Sequence, residues 1–189
     1  MRCFLALELP EAVRDQLGAL VASAAASECG AAARFVDPRQ LHLTLLFAGA
    51  VEEATVAAWR AALSTTTLPT LRLQLGPAGV FPRRHWPRVF WIGLRGEVDA
   101  LVRWQRELAE QARALGVAFD EQPFVPHVTL ARARVEAPAH RLAALAAQVE
   151  QLAAATPSGT FEPPSLTLFR SEPGPQGAHH EALLRRAMR

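Results

Sequence analysis

The sequence predicts an α+β fold on three observations. Strand-like and helix-like stretches share the 189 residues, but some strands follow each other directly across short loops. The uninterrupted strand–helix alternation of a doubly wound parallel sheet is therefore missing. Two apolar strands each carry a His-x-Thr unit, LHLTLLF from Leu41 and VPHVTL from Val125, which suggests two related halves. No Pro/Ser-rich linker divides the chain, so residues 1–189 read as one domain.

The elements follow in order. Arg2 to Leu9 is short and apolar and reads as a strand. Pro10 suits a first helical turn and Glu11 its positive end, so a helix runs from there toward Cys29, with Gly30 as its stop. Gln40 to Phe47 is a strand ended by Gly49, and Glu52 to Leu63 has helical spacing. Leu71 to Leu75 alternates as a strand, broken by Gly76, Pro77 and Gly79. Val89 to Leu94 is a strand, and Glu97 to Leu115 an amphipathic helix with Leu101, Trp104, Leu108 and Ala112 on one face. Phe124 to Ala131 is a strand, His140 to Ala154 a helix, and Ser165 to Phe169 a last strand. Ser171 to Gly177 reads as loop, and Glu181 to Met188 as a final turn of helix.

Composition excludes several function classes. Twenty basic residues face 18 acidic ones, a net charge of +2, which argues against coating long nucleic acid but permits a site for one phosphate or a strand end. Every basic residue is Arg, so a bound phosphate is met by Arg, His, hydroxyls or backbone N–H groups. Without Lys a Walker motif is impossible, and no GxGxxG occurs. Cys3 and Cys29 make no disulfide framework and read as small structural thiols. The opening MRCFLALELPEAVRDQ is too short in its apolar run and too charged for a signal peptide. No run reaches the roughly 18 apolar residues of a membrane helix. A cytoplasmic protein, not bound to membrane, is expected.

In a strand, residues i and i+2 share a face. His42 and Thr44 therefore share one face and Leu41, Leu43 and Leu45 the other; His127 and Thr129 do the same against Val128 and Leu130. The composition gives only ~0.3 chance occurrences of His-x-Thr, and short motifs carry that risk singly. Two units on apolar strands point to a pocket with two imidazoles and two hydroxyls. One neutral His accepts a proton and one charged His donates one, because an unperturbed imidazole titrates near pH 6.5. That pairing suits in-line attack at phosphorus, with the Thr hydroxyls donating to non-bridging oxygens.

At these residues the chain resembles the 2H phosphoesterase superfamily, and within it the RNA 2′,3′-cyclic phosphodiesterases, also called 2′-5′ RNA ligases. The two units HLTL from His42 and HVTL from His127 carry the resemblance, together with RCFLALELP, VFWIG, PFVPHVTLAR and LTLFRSEPG. It covers essentially the whole chain. It implies two pseudo-twofold-related lobes, each with an antiparallel sheet flanked by helices, around a central cleft. It implies His42 as proton donor to the leaving ribose 3′ oxygen, His127 as the base that activates water, and Thr44 and Thr129 as holders of the phosphate. The implied substrates are RNA ends or nucleotides bearing a 2′,3′-cyclic phosphate. Spacing alone does not divide acid from base.

Other residues carry a functional and a bland reading side by side. Arg132 matches a basic position of the family pattern, although strict alternation puts it on the face opposite His127; the bland reading is a surface Arg with a local partner. Trp86 and Arg88 belong to a basic, aromatic loop that would hold a strand end by charge and stacking, or else anchor Trp86 in the core. Phe4 and Phe124 line the pocket or simply pack the core. His179 or His180 stands where the family carries a C-terminal aromatic, in a chain without Tyr. Adjacent His residues on an extended tail point apart, and neutral Thr is a poor metal ligand, so no metal or other cofactor is expected. A monomer is expected. The alternatives are a nucleotide-binding module without turnover, or a phosphodiesterase for 2′-5′ oligonucleotides or ADP-ribose cyclic phosphate.

Overall fold

A computed structural model describes residues 1–174 and 178–188. Eight strands and four helices occur in the order β1 (Arg2–Glu8), α1 (Glu11–Ala25), β2 (Ala33–Phe35), β3 (His42–Ala50), α2 (Glu53–Thr65), β4 (Leu73–Arg83), β5 (Trp86–Gly96), α3 (Val98–Ala114), β6 (His127–Ala133), α4 (Ala139–Ala155), β7 (Ser165–Glu172) and β8 (His179–Ala187). Every strand pairing among the described residues is antiparallel.

The sheet order is β4-β5-β6-β3-β1-β7-β8, with β2 paired to β6. It divides into two halves. One holds β4, β5, β6 and β2, with α4 packed on β4 and β5 and α1 packed on α4. The other holds β3, β1, β7 and β8, with α3 against β3 and α2 against β8. The halves meet where β3 and β6 pair, and among the described residues Leu43 and Val128 are the one pair in register there. Both residues are buried in a core that runs under the whole sheet. Gln105 of α3 ties its helix to this sheet by donating to the Leu45 carbonyl at 3.1 Å.

Most predicted elements stand within a few residues. Four expectations need correction. The first helix ends at Ala25, short of Cys29, where Ser27 Oγ donates back to the Ala24 carbonyl. The strand expected to break at Gly76 runs on to Arg83, because a bulge between Leu75 and Ala78 absorbs the breakers. Glu181 to Met188 is not helix: His179–Ala187 is the strand β8, paired with β7 along its length. Helix propensity in Ala, Leu and Arg is a weak prior, and the unpaired edge of β7 outweighs it. In the expected loop, Ser171 and Glu172 belong to β7, and residues 175–177 lie outside the described residues. The three-residue strand β2 was not expected at all.

Candidate active site

The junction between the halves builds the site. In an antiparallel pair, residues flanking a paired position face each other crosswise. About Leu43 and Val128, this sets His42 alongside Thr129 and Thr44 alongside His127. The two central residues point into the core, so all four polar side chains lie on the other face, half-buried. Among the described residues, neither Thr hydroxyl makes a hydrogen bond, which leaves both free for a ligand.

Each strand then bulges at the same place. Thr44 pairs with Ala6 and Leu46 with Leu5, so Leu45 is the extra residue of β3. Thr129 pairs with Trp91 and Ala131 with Phe90, so Leu130 is the extra residue of β6. A bulge reverses the alternation beyond it. Leu45 and Leu46 are both buried, as are Leu130 and Ala131, and the next residues, Phe47 and Arg132, turn outward. Arg132 therefore shares the face of His127 and Thr129, not the opposite face that strict alternation gives. Its pseudo-equivalent is Phe47, 41% exposed, with the Arg2 guanidinium 5.7 Å from its ring centre.

The two imidazoles are held alike. His42 Nδ1 lies 2.6 Å from the Gln40 carbonyl and His127 Nδ1 lies 2.7 Å from the Val125 carbonyl. A carbonyl only accepts, so each Nδ1 carries the proton and donates. That leaves Nε2 of both rings as the atom that takes or gives a proton. Around them, His42 stacks on Phe4 at 4.8 Å, and His180 stands edge-on to both rings, 5.6 Å from His42. His127 meets Phe81 edge-on at 5.0 Å, with Trp91 at 6.0 Å. Gly79 makes this wall possible, because a Cβ there collides with the Trp91 indole.

Burial is the main influence on all three rings. It pushes His42 from 6.5 down to about 4, opposed by the hydrogen bond to Gln40 and the Glu8 carboxylate and reinforced by His180 and His127. Burial also lowers His127, with Arg132 adding to the effect, and lowers His180. At neutral pH the His42 ring is therefore neutral in the free protein. Glu8 would favour its charged form, but Glu8 already accepts from Thr167 Oγ1 and Arg185 Nε, each at 2.7 Å.

The remaining predicted residues divide. Phe4 is buried and is also the stacking partner of His42. Of the two tail histidines, His180 joins the site and His179 is exposed. Phe124 packs against the core, and among the described residues it makes no ring contact with the histidines. Trp86 is not anchored in the core: it is 58% exposed at the β4–β5 hairpin, with Arg88 over its ring at 5.2 Å. Among the described residues, neither touches His42 or His127. Sequence reasoning missed Trp91, Phe81, Phe47 and Phe169, which stacks on Phe4 at 5.1 Å and lies 6.1 Å from His42, because strand pairing alone assigns their face. Among the described residues, no group of three or more His, Cys, Asp or Glu could hold a metal ion, and no helix is long and apolar enough to cross a membrane.

Comparison with known proteins gives this geometry its context. An RNA 2′,3′-cyclic phosphodiesterase of Methanothermobacter thermautotrophicus is 28% identical over 183 residues, 94% of this chain and 93% of that one. The Escherichia coli protein of the same name is 34% identical over 136 residues, covering 72% of this chain and 74% of its own. The crystal structure of E. coli LigT in apo form superposes with a TM-score of 0.73 at 27% identity, covering 99% of this chain and 96% of that one. The model of the 2′-5′ RNA ligase superfamily matches residues 9–175. The chain belongs to the 2′-5′ RNA ligase superfamily.

Proposed function

We propose that the protein opens terminal 2′,3′-cyclic phosphates, on RNA ends or nucleotides, to 2′-phosphates. The observation that carries this is the crosswise pairing of two His-x-Thr units whose Nδ1 atoms are both pinned by carbonyls. The names of the relatives support the same reading. His127 Nε2 takes a proton from water as the water oxygen attacks phosphorus. The P–O3′ bond breaks, its electron pair stays on O3′, and His42 Nε2–H protonates that oxygen. Thr44 and Thr129 donate to the non-bridging oxygens as charge builds there. Each proton transfer contributes ~10²–10⁴ in rate.

The free-protein state of His42 sets one condition. A ring held to about 4 carries no proton to donate at neutral pH. The phosphate monoanion supplies what is missing, since a nearby negative charge favours the charged imidazole. Substrate binding and proton uptake by His42 are thus one event. With a 5′-hydroxyl in place of water, the same step leaves a 2′-5′ linkage. Two imidazoles and two hydroxyls answer every proton and charge movement of a strained, singly charged ring, so we read the reaction as independent of metal and the protein as acting as a monomer.

Phosphorus NMR tests this on a dinucleotide ending in 2′,3′-cyclic phosphate, in excess EDTA. The expected result is a 2′-monophosphate from wild type, with His42→Ala and His127→Ala each slower by at least ~10². A folded wild-type protein without turnover, or full activity in either variant, refutes it.

A further inference from the structure

A cavity of about 880 Å³ lies apart from the crevice between the histidines. It opens where β2 begins beside the end of β6 and α4 begins. Arg34, Arg132, Arg134 and Arg141 line it with His140, against a single carboxylate, Glu136. The four arginines are exposed. Among the described residues, none of their guanidinium groups has an ion pair or a side-chain hydrogen bond; elsewhere seven ion pairs engage Arg39, Arg72, Arg84, Arg113, Arg170 and Arg185.

Two of the four stand in register. Arg34 pairs directly with Arg132 across β2 and β6, on one face. Like charges directly opposite on a sheet destabilise it. The fold gains nothing from that pairing, and a polyanion lying across both does.

The position relative to the chemistry is also specific. The bulge at Leu130 turns Arg132 onto the face of Thr129, and Thr129 lies alongside His42. Three residues of strand separate Thr129 from Arg132, roughly 10 Å at most. His42 stands on the side of the leaving ribose oxygen, and the rest of an RNA strand is attached to that same ribose. The cavity therefore lies on the side from which the strand must arrive.

We infer that the Arg34–Arg132–Arg134–Arg141 cavity is a binding site for the phosphodiester backbone of single-stranded RNA, just upstream of the cyclic end. This rests on the cyclic phosphodiesterase reading for its direction and makes the enzyme one for oligonucleotide ends over mononucleotides. Guanidinium groups suit it, since each presents a planar fork to a phosphate.

Fluorescence anisotropy on the full chain tests it, with a labelled RNA hexanucleotide ending in 2′-phosphate and a nucleoside 2′-phosphate as competitor. The wild type is expected to bind the hexanucleotide at least ~10-fold tighter at low salt, with a salt slope steeper by about 0.7 for each phosphate neutralised. The combined variant Arg34→Gln, Arg134→Gln, Arg141→Gln is expected to lose most of that preference and slope, while melting no lower than wild type. A control carrying Arg60→Gln, Arg103→Gln, Arg106→Gln removes equal charge from α2 and α3, exposed surfaces of the other half. It is expected to keep the preference. Equal affinity for both ligands, or an equal loss in the control, overturns the proposal. Turnover is a separate readout. Lost length preference with intact hydrolysis sinks this site alone, and intact length preference without hydrolysis sinks the activity alone.

Discussion

Neutral His42 has a consequence for stability that can be worked out from the structure. The ring titrates at 6.5 in an unfolded chain and at about 4 in the fold, where burial disfavours its charged form. The folded pKa is depressed and the group is a base, so the unfolded chain binds the proton more readily between those values. Stability is unaffected above about pH 6.5, falls as pH drops toward 4, and levels off below. At 1.36 kcal/mol per pKa unit, the loss reaches ~2.5 kcal/mol by pH 4.5. Many carboxylates and the other histidines also titrate there, so a difference is needed. His42→Asn keeps a donor for the Gln40 carbonyl and removes the titration. Urea unfolding of wild type and variant at pH 7.5 and 4.5 isolates the effect. The variant is expected to gain ~2.5 kcal/mol relative to wild type between the two pH values. Parallel pH profiles would show that His42 takes its proton in the fold as easily as outside it. The coupling of substrate binding to proton uptake would then fall with it.

Three further outcomes follow from the neighbours of the two rings. Arg132→Gln removes a charge that holds His127 down, so the His127 pKa rises and the acidic limb of the pH–rate profile moves to higher pH; a limb that stays or moves lower contradicts this. Arg185→Gln frees the Glu8 carboxylate from its guanidinium partner, and the His42 ring should titrate higher by proton NMR; an unmoved or lowered titration counts against the role given to Glu8. Gly79→Ala drives a methyl group into Trp91, at an expected cost of ~1–3 kcal/mol and a larger fall in kcat than rise in KM; stability within ~0.5 kcal/mol of wild type would mean that the indole yields freely.

The strands that carry the chemistry were legible because alternation is short-range: His42 and Thr44 share a face whatever else pairs with β3. Long-range features were not. The face of Arg132 depends on a bulge, and alternation cannot count an extra residue; the only trace is the paired apolar Leu130 and Ala131 where one is due. Helix and strand could not be told apart in EALLRRAM, where the edge of β7 makes the decision. His180 reaches His42 only through that same strand, so its place in the site was beyond local pattern. β2 is three residues long and exists because β6 offers it an edge, and with it comes Arg34.

The single pairing of Leu43 with Val128 has a mechanical side. If the halves twist relative to one another on the core they share, displacement grows with distance from this junction. His42, Thr44, His127 and Thr129 are the immediate neighbours of the joint, so they have the shortest lever arms in the molecule. The outer strands β4 and β8, at the two ends of the sheet, have the longest. A few degrees of rocking would sweep the rims of the crevice past an incoming strand while barely altering the spacing of acid and base. Any such twist is smallest where acid and base stand and largest at the rims.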